Sequence, residues 1–255
     1  MGRIVCFANQ KGGVGKTTTC VNLCAAVKDK RRKILLIDAD PQGNATTGMG
    51  VNKHAGRTLY DVLIRGVPAR EAVLQTKYGD VLPANLDLSG AAVELVDTPD
   101  REMVLKNALA PIKDEYEYIF IDCPPSLGLL TLNALAAADT VLIPMQCEFY
   151  AMEGLTDLMT SMRLTKTRFN PGLKIEGIVL TMYDKRLSFA AQVAQEVDRH
   201  FGRAVYRTVI PRNVRIAEAP SHGKPVSAYS RLSRGADAYD RLALEFFKHN
   251  HTADI

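Results

Sequence analysis

No apolar run in this 255-residue chain approaches the roughly 20 residues that cross a bilayer as a helix, which excludes a membrane-spanning helix. Cysteine is sparse. The five (Cys6, Cys20, Cys24, Cys123, Cys147) are an odd number among apolar neighbours, with no paired CxxC spacing, so neither a disulfide framework nor a zinc site of that kind is expected. Cys20 and Cys24 stand one helical turn apart, where two small core residues are the simpler reading. No Ser/Gly-rich linker, repeat or charge block divides the chain. A secretory leader is not expected, because Arg3 is followed by only a short apolar stretch, Ile4-Val5-Cys6-Phe7-Ala8. The opening Met-Gly-Arg-Ile-Val-Cys lacks the Ser/Thr expected for myristoylation. Asn44-Ala45-Thr46 matches a glycosylation sequon, which without secretion is chance. Net charge is small too: 32 Lys+Arg against 28 Asp+Glu leaves +4, too little to imply a nucleic-acid partner. The total hides an asymmetry. Residues 1–162 carry 16 basic and 19 acidic side chains (−3), whereas residues 163–255 carry 16 and 9 (+7).

What is present is a composition able to build a core, 47% hydrophobic and 24% charged, which excludes a disordered or collagen-like chain. Short β-branched runs at Ile4–Ala8, Ile34–Ile37, Tyr118–Ile121, Thr140–Pro144, Ile175–Thr181 and Val205–Ile210 predict strands. They read as continuous apolar runs, as strands buried on both faces do. Apolar residues at 3–4 spacing predict helices over Lys16–Asp29, Arg101–Lys113, Leu127–Ala137, Met152–Thr167 and Phe189–Phe201. This alternation implies an α/β fold, a doubly wound and mostly parallel sheet flanked by helices. We read one domain over residues 1–255, with an irregular excursion at about 49–100. A last helix over Gly235–His249 places Ala236, Tyr239, Leu242, Ala243, Phe246 and Phe247 on one face. Its polar face mixes Asp237, Asp240 and Glu245 with Arg241 and Lys248, which favours core packing over a membrane surface. His249 and His251 near the end are read as inert, and His54, His200 and His222 show no ligand spacing.

After the first predicted strand comes Gln10-Lys11-Gly12-Gly13-Val14-Gly15-Lys16-Thr17-Thr18, then a helix. Glycines let a backbone turn with positive φ and approach an anion closely. Successive N–H groups form a nest, and the helix N-terminus adds positive potential. Lys16 is placed to reach the β- and γ-phosphates, and Thr17 to complete a magnesium shell. The loop therefore predicts a bound nucleoside polyphosphate with Mg²⁺. One departure matters: GxxxxGK[ST] wants glycine at position 10, and this chain has Gln10 followed by a second lysine, Lys11. Further on, Asp38-Ala39-Asp40 ends one strand and Asp122 another, placing carboxylates at the carboxyl edge where ligands of open α/β sheets bind.

The loop resembles the deviant Walker A motif of the ParA/MinD ATPases. The resemblance runs nearly end to end through residues 38–46, 122–131, 144–155 and 210–225, and is strongest with chromosomal partition proteins of the Soj type. It implies a P-loop ATPase that dimerises around ATP, binds double-stranded DNA without sequence preference, and is stimulated by a ParB-type centromere-binding protein. By the same resemblance Lys16 and Thr17 bind phosphate and Mg²⁺, and Lys11 completes the partner's site. Asp40 orients the attacking water, Asp38 belongs to the same switch, and Asp38 and Asp122 hold the Mg²⁺ shell through water. Pro211 and Asn213 resemble the adenine-contacting segment. The intrinsic hydrolysis rate is expected to be low, and the location cytoplasmic and nucleoid-associated.

Backbone binding to DNA needs a Lys/Arg surface, and the C-terminal third supplies one. The candidates are Arg186, Arg215, Arg231 and Arg234, joined by Lys185, Lys224 and Lys248. Three rival readings fit less well. A MinD-like ATPase cycling on the membrane shares the loop but requires a basic amphipathic tail, unlike Lys-His-Asn-His-Thr-Ala-Asp-Ile; no stable membrane association is expected. A cluster reductase like the nitrogenase iron protein needs cysteine motifs that do not surround Cys123 and Cys147. A sequence-specific repressor needs an N-terminal helix-turn-helix, and here the first strand is predicted by residue 4.

Overall fold

Side chains at successive positions of a strand face opposite sides, and in this chain both sides of the sheet are covered. The computed structural model describes residues 2–28, 32–54, 56–148 and 151–252, with side chains through Asn250. Six parallel strands form one sheet: β1 (Arg3–Phe7), β2 (Ile34–Asp38), β3 (Asp80–Leu82), β4 (Tyr118–Asp122), β5 (Thr140–Gln146) and β6 (Lys174–Thr181). Their order is β3-β2-β4-β1-β5-β6. The longer helices are α1 (Lys16–Val27), α2 (Leu129–Ala137), α3 (Ala151–Arg168), α4 (Ser188–Phe201) and α5 (Arg234–Thr252).

In β1, Ile4 and Cys6 face a core shared with α2, α3 and α4 through Ala134, Leu155, Leu158 and Val197. Val5 and Phe7 face the other core, built with α1 and α5 through Leu23, Tyr239, Leu242 and Phe246. Each fully buried Leu, Ile or Phe contributes about 1.5–3 kcal/mol, which is why strands apolar at every position are stable here. Ring pairs Tyr118–Phe246 (5.1 Å) and Phe120–Phe246 (5.8 Å) fix α5 against β4, and Phe7–Phe120 (5.3 Å) ties β4 to β1. The apolar stripe of α5 is thus spent on the core, as its polar face led us to expect.

Three expectations need correction. Val205–Ile210 is not a strand: it runs beside β6, with Tyr206 N–H donating to Ile178 O and Ile210 N–H to Leu180 O, but the ladder breaks between them. The cause is Glu245 of α5, whose carboxylate accepts the N–H groups of Arg207 (2.6 Å) and Thr208 (2.8 Å). The helix expected over Arg101–Lys113 is only Val104–Leu109. Pro111 has no N–H and ends it, while Asn133 Oδ1 accepts the Leu105 N–H and caps its start. The excursion at 49–100 contains the edge strand β3, hidden in sequence because only Asp80-Val81-Leu82 pair with β2. The predicted end of the first helix at Asp29 lies outside the described residues; α1 stops at Val27.

Candidate functional site

The site grows from the carboxyl ends of β1, β2 and β4. Register places Phe7 beside Asp122 and Asp38 beside Asp122, so three chain segments leave the sheet at one level. β1 lies where connections diverge to the two sides of the sheet, the position at which open α/β sheets bind ligands. Residues 10–15 turn there into α1. Gly13 (φ 75°) and Gly15 (φ 86°) hold left-handed backbone that a side chain would strain. Neighbouring strands clamp the loop: Thr181 Oγ1 donates to Val14 O (2.7 Å), Gln146 Nε2 to Gly13 O (3.0 Å), and Asn9 Nδ2 to Pro144 O (2.8 Å).

The two lysines differ. Lys16 is buried and folds its ammonium back onto Lys11 O at 3.0 Å. Burial lowers its pKa, opposed by the charges of Asp122, Cys123 and Asp40. Lys11 leaves its own loop and pairs with Glu148, just past β5.

The carboxylates differ as well. Asp38 is fully enclosed; its Oδ2 accepts both the N–H and the hydroxyl of Thr46 (2.7 Å each), and its Oδ1 accepts the Asp40 N–H (3.2 Å). It therefore organises residues 40–46. Burial still pushes its pKa up to about 6. Asp40 is buried at the loop edge, where its Oδ1 accepts the Gln42 N–H. Asp122 is fully buried and neither oxygen makes a hydrogen bond of standard geometry, although Thr17 lies close enough to favour its ionised form. Burial and the Asp38 charge raise its pKa well above the carboxylate range. An orphaned buried carboxylate beside a threonine hydroxyl and an ammonium fits a hard cation that keeps oxygen ligands from water and phosphate. Among the described residues no group of three or more His, Cys, Asp or Glu gathers to hold a metal by itself.

Beside the loop, a cavity of about 240 Å³ is lined by Gly15, Thr18, Pro211 and Asn213. Pockets for whole ligands run to roughly 300–1,000 Å³, so this one suits a planar base with the phosphates outside. Asn213 Oδ1 is occupied, accepting the N–H groups of Arg215 and Ile216 as an N-cap, which leaves its amide hydrogens for the cavity. Sequence reading missed Met182, Ile210, Ile216 and Tyr239 in this wall. Met182 carries a signal only the backbone shows, a φ of 47° just beyond β6.

The seven basic candidates do not form one cluster. Lys185, Arg186 and Arg234 line one open groove of about 500 Å³ with Arg212, which sequence reading did not single out. Arg186 is strongly exposed and forks onto Asp184 (2.6–3.2 Å), whose pKa it lowers. Arg215 pairs with Glu218 at 2.9 Å. Arg231 pairs with Asp240 in a separate groove, and Lys224 lines another beside Met49 and Lys77. Lys248 sits in the last turns of α5. His249 stacks on Tyr206 (4.5 Å), while the side chain of His251 and residues 149–150 lie outside the described residues.

A parallel sheet with a glycine loop feeding a helix, one buried loop lysine and a carboxylate at the end of the adjacent strand defines a P-loop nucleotide-binding protein of the α/β class. Comparison with known proteins narrows the class. The family described as "AAA domain" matches residues 2–175. The chain is 52% identical over 248 residues to the sporulation initiation inhibitor protein Soj of Bacillus subtilis, covering 96% of this chain and 98% of that protein. It is 51% identical over 251 residues to the chromosome partitioning protein ParA of Myxococcus xanthus, covering 97% and 89%. Among solved structures, cobyrinic acid a,c-diamide synthase from Mycobacterium smegmatis with bound ADP and magnesium superposes with a TM-score of 0.86, at 36% identity, over 99% of this chain and 97% of that one. The chain belongs to the ParA/Soj family of chromosome-partitioning ATPases.

Proposed function

We propose that this protein is an ATP-dependent dimerising ATPase whose ATP-bound form binds DNA without sequence preference, and whose hydrolysis and release a ParB-type partner stimulates. The observation that carries the reading is the division of labour between the lysines. Lys16 already occupies the mouth of its own loop, so Lys11, projecting from the rim toward Glu148, is spare for a second protomer's phosphates. Phosphoryl transfer needs positioning and charge neutralisation more than covalent chemistry. Gln10 to Thr18 cradle the phosphates, and the cavity at Pro211 and Asn213 takes adenine. Thr17 and the orphaned Asp122 would hold Mg²⁺, which when bound supplies neutralising charge on the phosphates. Asp38, tied to Thr46, positions Asp40, which orients the attacking water. With the second lysine held by another subunit, turnover by isolated protomers is slow.

DNA binding follows from the basic groove at Lys185, Arg186, Arg212 and Arg234. Dimerisation doubles this surface, so binding depends on ATP and falls steeply with salt. Nucleoid association is its cellular consequence. The test is DNA binding with and without ATP across a salt series, for the native chain and Lys16→Ala. Binding that requires ATP and is absent in the variant supports the reading; equal binding without nucleotide overturns it.

A further inference from the structure

At the pole opposite the nucleotide loop, the first residues of β1, β5 and β6 (Arg3, Thr140, Lys174) border a groove of about 570 Å³. That volume lies within the roughly 300–1,000 Å³ typical of small-ligand pockets. It is also lined by Arg203, in the turn that follows α4, and by Arg207, in the segment whose pairing with β6 is interrupted.

The two carboxylates in the groove are already committed. Glu176 is buried and accepts from Arg3 (2.8 Å), Thr140 (2.8 Å), Tyr206 and Asn250. Glu245 is taken up by the backbone N–H groups of Arg207 and Thr208. Apart from Arg3, the cations are not committed. Among the described residues, the side chains of Lys174, Arg203 and Arg207 make no hydrogen bond or ion pair. The ends of α4 and α5 approach this pole and contribute roughly half a negative charge each, and Glu245, bonded only to neutral amides, keeps its own, which leaves about one of the three positive charges unopposed. Two guanidinium forks and an ammonium match phosphoryl oxygens, which arginine grips in a bidentate manner. Ile175, Ala204 and Val205 add an apolar wall.

We propose that this groove is a second anion site, taking a small molecule with two or more linked phosphoryl groups. The inference does not rest on the partition reading, because the groove shares no residue with the nucleotide loop or with the groove at Arg186.

The test is calorimetric titration of the full chain with tripolyphosphate, in magnesium-free buffer with ADP saturating the nucleotide loop. One site per chain is expected, weakened about tenfold or more in Arg203→Ser/Arg207→Ser and unchanged in Arg186→Glu. Unaltered ADP affinity shows that the double variant is folded, and Lys174→Ser, expected to weaken binding severalfold, serves in its place if it is not. No binding once ADP is present, equal affinity in the double variant, or equal loss in Arg186→Glu would each overturn the proposal.

Discussion

Asp38 and Asp122 are register partners on β2 and β4, both fully enclosed, yet Asp38 is saturated with hydrogen bonds and Asp122 makes none of standard geometry. Burial raises the cost of ionising both, and the charge of Asp38 raises it further for Asp122. One carboxylate holds the protein's own loop. The other waits for a positive charge that the chain supplies only in part, through Lys16.

A pH dependence follows. Asp38 titrates near 6 when folded, against about 4 for an unfolded aspartate, so between these values the folded state holds the extra proton. Stability from this source is fully present below pH 4 and is lost as pH rises through 6. The loss is of the order of 2–3 kcal/mol, at about 1.4 kcal/mol per pH unit. Urea midpoints across pH 4–7 should fall more steeply for the native chain than for Asp38→Asn; parallel curves would remove Asp38 as the source.

For Lys16→Ala the expected outcome is at least a tenfold loss of ATP affinity and no nucleotide-dependent dimer, since a charge-assisted hydrogen bond contributes about 1.5–3 kcal/mol. Fluorescent-nucleotide titration and sedimentation measure the two effects. Native affinity in the variant contradicts the role given to Lys16.

Asp40→Ala should bind ATP, dimerise and remain on DNA while its turnover falls about 100-fold or more, the usual scale of a lost general base or water-orienting group. Phosphate release alongside a DNA gel shift reads both. Undiminished turnover takes Asp40 out of the mechanism.

Glu148→Gln frees Lys11 from its ion pair. Exposed pairs contribute about 0–1 kcal/mol and two break per dimer, so the ATP-dependent dimer should form at up to about thirtyfold lower protein concentration. A dimer constant that moves the other way would mean that Glu148 supports the assembled state instead.

On the basic face, each cation that touches a DNA phosphate adds about 0.9 to the slope of log affinity against log salt, so a substitution that removes one from both protomers should flatten it by about 1.8. Arg186→Glu and Arg212→Glu are expected to do this, with the dimer intact by sedimentation. Unchanged slopes in both would move the DNA surface to the separate grooves at Arg231 and Lys224.

Much of the fold and the loop was legible in the sequence. Strands apolar at every position announced a sheet covered on both faces, and Gly15-Lys16-Thr17 between a strand and a helix announced the loop. The contrast between Asp38 and Asp122 was not legible, because it depends on Thr46 folding back over one of two similar strand ends. The broken edge at Val205–Ile210 was hidden for a related reason: Glu245, nearly 40 residues later, takes N–H groups that the sheet would otherwise use. Counting charge located the basic third, but only packing separated Arg212 and Arg186 from Arg231 and Lys224.

The central claim is that Lys11 acts across a subunit boundary. A crystal structure with a non-hydrolysable ATP analogue tests it most directly. Two protomers are expected face to face, with each Lys11 detached from Glu148 and its ammonium on the phosphates bound by the other protomer. A single nucleotide-loaded protomer, with Lys11 still paired to Glu148, would contradict it.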